Sequence, residues 1–435
     1  MENTNAFLET EPLGRLMRKF ALPCVVALAV SCMIGDGCCA FVSISLGARD
    51  ADRAGDSVGS AVLLLWACGL SLTALYLVFL DPLLTFFGGR VNEDVFRMSR
   101  EYFFWIALGI PFYVFGQAMN PIISADGTPA FAMVSTLSGA LTNIILDPLF
   151  IFVFRWGMMG AALATVAGQM VTAALGACYL FRMRVVRLTR GSFRPHARLA
   201  RRYLPLGLCS FLSQISLVAS MAAVNNMVRH YGALDAVFGQ AEFAQIPMAV
   251  IGIVMKFFQI TISVVVGMAA GCTPVVGFNV GAGRRDRVRG LLTRLLAAEA
   301  LVGLVALGVA QVFPQGIADL FGAAGESVHY SRFTVRCFRV YLSLIVLACV
   351  NKAAFIFVQS LGRPWLSTSL SMTREVLFGV GLTVLMPLWM GLEGVLWSMP
   401  ASDALTFVLS LAVLVRIYRG LSPSGEGASV TSSRA

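Results

Sequence analysis

Lysine is almost absent from this chain: Lys19, Lys256 and Lys352 stand against thirty arginines. Charge of either sign is scarce, at 13% of 435 residues, where a soluble domain carries about 25%. That scarcity excludes a globular surface facing water on all sides. Three histidines lie scattered, and there is no P-loop, no HExxH and no GxSxG. The usual signatures of nucleotide hydrolysis, zinc peptidase and serine hydrolase chemistry are therefore missing, and the expectation is a protein that is not an enzyme and carries no cofactor. Ten cysteines form no CxxC pair and sit mostly in apolar runs, so they read as small packing residues and not as a metal or disulfide set. What is abundant is apolar: 58% of residues are hydrophobic and the mean hydropathy is +0.79. The solvent for most of this chain is lipid. Its net charge of +10 gathers in short loops and ends, as topology marks do, and signals no nucleic-acid partner.

About 20 predominantly apolar residues span a bilayer core. Eleven such runs are present: 20–46, 58–80, 102–124, 130–154 and 158–181, then 204–227, 243–280, 292–312, 338–359, 366–389 and 395–418. The fold expected is an all-α polytopic membrane protein. Its parts are an N-terminal segment 1–19 of cytoplasmic type, a five-span bundle 20–181, an Arg-rich linker 182–203, a six-span bundle 204–418 and a disordered tail 419–435.

The two bundles are copies. Gly37-Cys38, Val42, Gly47-Ala48 and Asp52-Arg53 recur 234 residues later as Gly271-Cys272, Val276, Gly281-Ala282 and Asp286-Arg287. The same offset links Gly157 and Gly160 to Gly391 and Gly394, and one residue of slip brings Gly127 and Pro129 onto Gly362 and Pro364. A constant offset means one unit repeated in the same orientation. Yet Leu22-Pro23 and Leu204-Pro205 are only 182 apart, so the first copy lacks 52 residues, about one helix. The segment 20–46 then joins the start of one helix to the end of the next.

The linker carries eight arginines and no acid, which places it in the cytoplasm, and Arg416 and Arg419 put the C-terminus inside as well. Counting five spans backward puts the N-terminus outside, against the bias of Arg15, Arg18 and Lys19. Segment 20–46 either crosses alone or folds back around Gly35-Asp36-Gly37. A leader peptide ending at Ala29-Val30-Ser31-Cys32 is a third, weaker reading, because repeat-matched sequence resumes five residues later.

Acids and lysines near a helix centre cost at least ~2.5–3.5 kcal/mol on insertion scales, so each needs a reason. The acids within or beside spans are Asp36, Asp147, Glu242, Glu299, Glu375 and Asp403, and Lys256 and Lys352 also lie in apolar runs. Asn143 and Asp147, four apart, share a helix face, with Thr165 on the next span as a further partner. A carboxyl there can hold a proton that a cationic substrate displaces. Alternatively, Asp147-Pro148 only marks a kink or helix end. Asp403 follows Pro400 closely, so carbonyls freed by the kink and the carboxyl can line an ion site. An acid paired to a neighbouring Lys or Arg accounts for Asp403 equally. Arg374-Glu375 reads as a structural ion pair, and Lys256 calls for an acid or a substrate group. Lys256, Asn351, Lys352 and Asp403 are the candidate substrate or ion contacts of the second half.

Several stretches, in order, resemble the multidrug and toxic compound extrusion (MATE) transporters, and among them the MepA-like branch. They are SISLGA at 43–48, ISADGTP at 123–129, NIILDPLFIF at 143–152, GAALAT at 160–165, the run 257–283 ending in Gly281-Ala282-Gly283, QSLG at 359–362 and Pro400-Ala401-Ser402-Asp403. Together they cover roughly 12–420 apart from the gap. The resemblance implies two six-helix bundles facing a central cavity, exporting amphipathic, often cationic compounds in exchange for protons or sodium ions. It also implies a monomer whose partners are small molecules and the bilayer. It assigns Asn143, Asp147 and Thr165 to a cation network that in the family includes an acid on the first helix. That stretch is missing, and Asp36 is not its replacement. The fold is expected to persist while coupled transport is impaired. Two other readings stay open: a flippase or exporter of lipid-linked or polymeric substrates, and a degenerate membrane protein that does not transport.

Overall fold

The computed structural model describes residues 13–81, 93–189, 191–194, 196–235, 237–240, 243–323 and 327–421. Most of the N-terminal segment, nearly all of the expected tail and Glu242 lie outside them. The described residues are helical, with no strand among them. In chain order the long helices are α1 (Leu13–Gly47), α2 (Ala51–Val78), α3 (Glu93–Ala125), α4 (Pro129–Pro148), α5 (Gly157–Leu180), α6 (Ala197–Leu234), α7 (Ile246–Gly281) and α8 (Arg285–Val312). They are followed by α9 (Val328–Tyr341), α10 (Ile345–Ser360), α11 (Pro364–Met372) and α12 (Leu392–Gly420). α4 runs on through a π-helical turn, Leu149–Val153, and α11 through another, Thr373–Val380. Among the described residues ten helices are long and apolar enough to cross a membrane, or eleven with α9 and α10, bent by 44°, counted as one span. The described helices cover all eleven apolar runs.

The chain divides into two compact units. One holds 1–46 and 50–226, the other 47–49 and 227–435. The expected division lay at the linker 182–203, but most of α6 packs with the first unit. The reason is visible on α1, which is one unbroken helix through Gly35-Asp36-Gly37 and does not fold back. A Cβ at Gly35 would stand 2.7 Å from Ala118 Cα of α3. One at Gly37 would meet the Tyr203 carbonyl of α6, and one at Gly207 of α6 would meet the Met33 carbonyl. In lipid, helices associate through packing of small residues, because chain burial alone gains nothing over lipid tails. The glycines of the composite segment therefore serve helix crossings, and α6 covers the face of α1 in a five-span half.

Matched repeat positions turn the chain in matched ways. Gly127 and Gly362 adopt φ of +89° and +75°, and a proline starts the next helix two residues later in each case. Positive φ is open to glycine at no steric cost, and proline at the first helical position gives up only an N–H that has no partner there. Gly157 and Gly391 form a second such pair, at +54° and +59°.

Between these two turns lies an asymmetry. Asp126, 1% exposed, accepts hydrogen bonds from Tyr179 Oη at 2.8 Å and from the backbone N–H groups of Arg184, Val185 and Val186 at 2.7, 2.9 and 2.8 Å. It ties the end of α3 to the end of α5 and to the start of the linker. In the second copy the matching position is Leu361, which packs against an apolar cluster with Leu421. The copy that must anchor a linker has the carboxylate. Asp126→Ala is expected to cost on the order of 3 kcal/mol, because buried donors lose a charged acceptor. Thermal unfolding in detergent measures the loss, and trypsin cleavage within 182–202 should accelerate in parallel.

Candidate functional site

In the first unit, α4 and α5 cross at two glycines. A Cβ on Gly139 would lie 2.7 Å from the Gly168 carbonyl oxygen, and one on Gly168 would lie 2.5 Å from the Gly139 carbonyl oxygen. This close crossing brings the polar face of α4 onto α5. One turn beyond Gly139, Asn143 Nδ2 donates to Thr165 Oγ1 at 3.4 Å, and Thr165 Oγ1 donates to the Ala161 carbonyl at 3.0 Å. The opposite face of α4 is apolar and open, with Ile144 and Ile145 both 64% exposed, as befits a lipid-facing surface. Beside the crossing is a cavity of about 230 Å³ between α3, α4 and α5. Its polar lining includes Tyr113, Gln117, Asn143, Thr165, Gln169 and Thr172.

The structure therefore joins Asn143 and Thr165 directly. Asp147 stands one turn further along, half-buried, with Oδ1 shielded from solvent and without a hydrogen-bond partner. The helix-end reading of Asp147-Pro148 has a counterpart too, since α-helical geometry gives way to the π turn at Leu149. Asp36 takes no part in this group; its carboxylate accepts a hydrogen bond from Ser210 of α6.

The second unit holds one buried cluster of four charged side chains. Arg374 Nε donates to Asp403 Oδ1 at 2.9 Å, and Arg374 Nη1 donates to Glu375 Oε1 at 2.7 Å. Lys352 Nζ reaches Glu375 Oε1 at 3.4 Å, and Asn351 Nδ2 donates to the Asp403 backbone carbonyl at 3.0 Å. The side chains of Arg374, Glu375 and Asp403 are 6%, 3% and 4% exposed. Two neighbouring residues, Arg374 and Glu375, both point inward because α11 is π-helical over Thr373–Val380. A wider turn rotates less per residue, so adjacent side chains stay on one face. Two cations and two anions cancel. Asp403 is thus the acid paired with an arginine, and Lys352 is held by an acid. Asn351 joins them, so three of the four second-half candidates meet.

Lys256 does not. It is exposed, its Nζ lies 5.9 Å from the Phe321 ring, and it makes no ion pair among the described residues. Sequence reasoning also missed a larger cavity of about 490 Å³, lined by α6, α9 and the start of α12. Its Arg336 and Glu393 pair at 2.8 Å. Its residues come from three loop-proximal segments that no motif connects.

Comparison with known proteins agrees with this architecture. The MatE family model matches residues 24–149 and 205–385. The multidrug export protein MepA of Staphylococcus aureus is 22% identical over 397 residues, covering 90% of this chain and 82% of MepA. An FAD transporter of Shewanella oneidensis is 25% identical over 422 residues, covering 94% of this chain and 88% of the transporter. Among solved structures, a MATE in complex with MaL6 superposes with a TM-score of 0.85 at 23% identity, covering 94% of this chain and 89% of the other. An outward-facing multidrug resistance MATE family transporter of the MOP superfamily gives 0.84 at 22% identity, covering 94% and 88%. The family match takes in most of the chain and both copies of its repeat, and the chain belongs to the MatE family of membrane transporters.

Proposed function

We propose that this chain exports small amphipathic cations across the bacterial plasma membrane by alternating access, in exchange for protons bound at Asp147. The observation that carries this reading is the unpartnered Asp147 Oδ1, one turn from the bonded Asn143–Thr165 pair at the edge of a polar cavity. A carboxyl within a span is costly unless it is paired or neutral, and such residues mark ion and substrate paths. Proton and substrate cation then compete for one negative charge, which is the minimum that exchange requires. A sodium ion is served less well, because hard cations take about six oxygen ligands and no hydrogen bond ties Asp147 to the Asn143–Thr165 pair. The names of the S. aureus relative and of the outward-facing structure support the choice of drug-like substrates. The loss of an acid on the first helix leaves Asp147 with less charge around it, so exchange is expected to be slow.

An anionic lipid-linked or polymeric substrate fits poorly. Of the two lysines within apolar runs, Lys352 is neutralised by Glu375 and Lys256 is exposed. The charge cluster of the second unit serves as a fixed strut between α10, α11 and α12.

Two outcomes are expected. In vesicles containing the purified chain, a pH gradient drives tetraphenylphosphonium efflux. Asp147→Asn brings that efflux to the level of empty vesicles, and Asn143→Ala or Thr165→Ala weakens it. Efflux that follows a sodium gradient and ignores pH contradicts the reading, as does normal pumping by Asp147→Asn. For the strut, Arg374→Ala leaves two buried carboxylates without their shared cation and should cost about 3–5 kcal/mol. Lys352→Met, which removes the longest and most exposed contact of the cluster, should cost less, and thermal unfolding in detergent compares the two.

A further inference from the structure

Glu299 is a second carboxyl without a partner, and it lies in the other unit. It sits at the middle of α8 (Arg285–Val312), with 0% of its surface exposed. Neither Oε1 nor Oε2 has a hydrogen-bond partner. At 1.5 Å per residue it is about 20 Å from either end of the helix, so it stands near the middle of the bilayer.

α8 packs against α7 and α10, and the titratable groups these present to Glu299 are the thiols of Cys272 and Cys349. On α8 itself the nearest charge, Arg294, is exposed. α9 meets α8 far away, where Gln311 donates to the Arg339 carbonyl at 3.0 Å, about 18 Å along the helix. Lys352, one turn beyond Cys349 on α10, is engaged by Glu375. Cys349 also lies within electrostatic reach of Asp403 and Arg374. Arg374 is itself engaged there, its Nη2 lying 2.9 Å from Asp403 Oδ1.

A carboxylate in this place would lose its hydration and find no donor, at a cost of several kcal/mol. A sodium ion would need oxygen ligands that thiols do not supply. A proton needs only the carboxyl. We propose that Glu299 is a proton-binding site of the second bundle, separate from Asp147, holding its proton in the conformation described and able to release it. The inference goes beyond exchange at Asp147 and does not depend on it.

Infrared spectroscopy of the full chain in lipid vesicles tests it. The difference between wild type and Glu299→Gln at neutral pH should contain the carbonyl stretch of a protonated acid. That band should lose intensity as the pH is raised. Glu299→Asp, which keeps an acid at the position, should shift the band and not remove it, which separates loss of the carboxyl from loss of the fold. Asp147→Asn should leave the band in place, so its outcome stands apart from any failure of the efflux experiment. A wild-type chain with no Glu299-dependent band overturns the proposal, and so does a band that persists unchanged through the alkaline titration.

Discussion

Everything in this molecule follows from the cost of charge in lipid. With 13% charged residues, the chain can afford few ions at membrane depth, and it disposes of them in two ways. Arg374, Glu375, Asp403 and Lys352 cancel one another within hydrogen-bond and ion-pair distance. Asp147 and Glu299 keep carboxyl oxygens without partners. The first group is worth most when it stays put, since removing one member strands the others. The second can change charge by taking or losing a proton, without breaking a bond to a neighbour. The proposed division of roles follows that line: the paired charges hold the structure, and the unpaired carboxyls are the proposed proton sites.

The two copies of the repeat share turns and differ in what those turns hold. Gly127 with Pro129 and Gly362 with Pro364 reverse the chain alike. Asp126 then binds three linker amides, while Leu361 joins an apolar cluster. The copies differ again at the start. The first copy has five apolar spans against six, and α6 lends most of its length to the first unit, approaching α1 closely at Gly37 and Gly207. The first unit keeps a packed core around Phe115, Met119, Ile122 and Tyr203.

The spans, the repeat and the family were legible in the sequence because apolar length and glycine spacing are local signals. The Asn143–Thr165 pairing was legible as well, since position four on a helix and a threonine on the next span constrain the geometry. Other features were not. The motif ISADGTP names Asp126, but three of its four partners are 58–60 residues away and donate backbone N–H groups, which leave no trace in side-chain identity. Arg374 looked like half of a local pair; its role as the hub depends on a π-helical turn that has no sequence signature. Gly35-Asp36-Gly37 left both a crossing and a fold-back open; the helix is continuous there, and its glycines admit neighbouring helices. Glu299 stood among the acids within spans, but only packing shows that it is fully buried near two thiols with neither oxygen hydrogen-bonded.

The central claim is that a substrate cation and a proton compete for Asp147. Adding tetraphenylphosphonium to the purified chain in weakly buffered detergent, with a pH indicator present, tests it directly. The account predicts that binding releases protons to the medium from the wild type, and that Asp147→Asn releases none. Binding by the wild type with no proton release would contradict it.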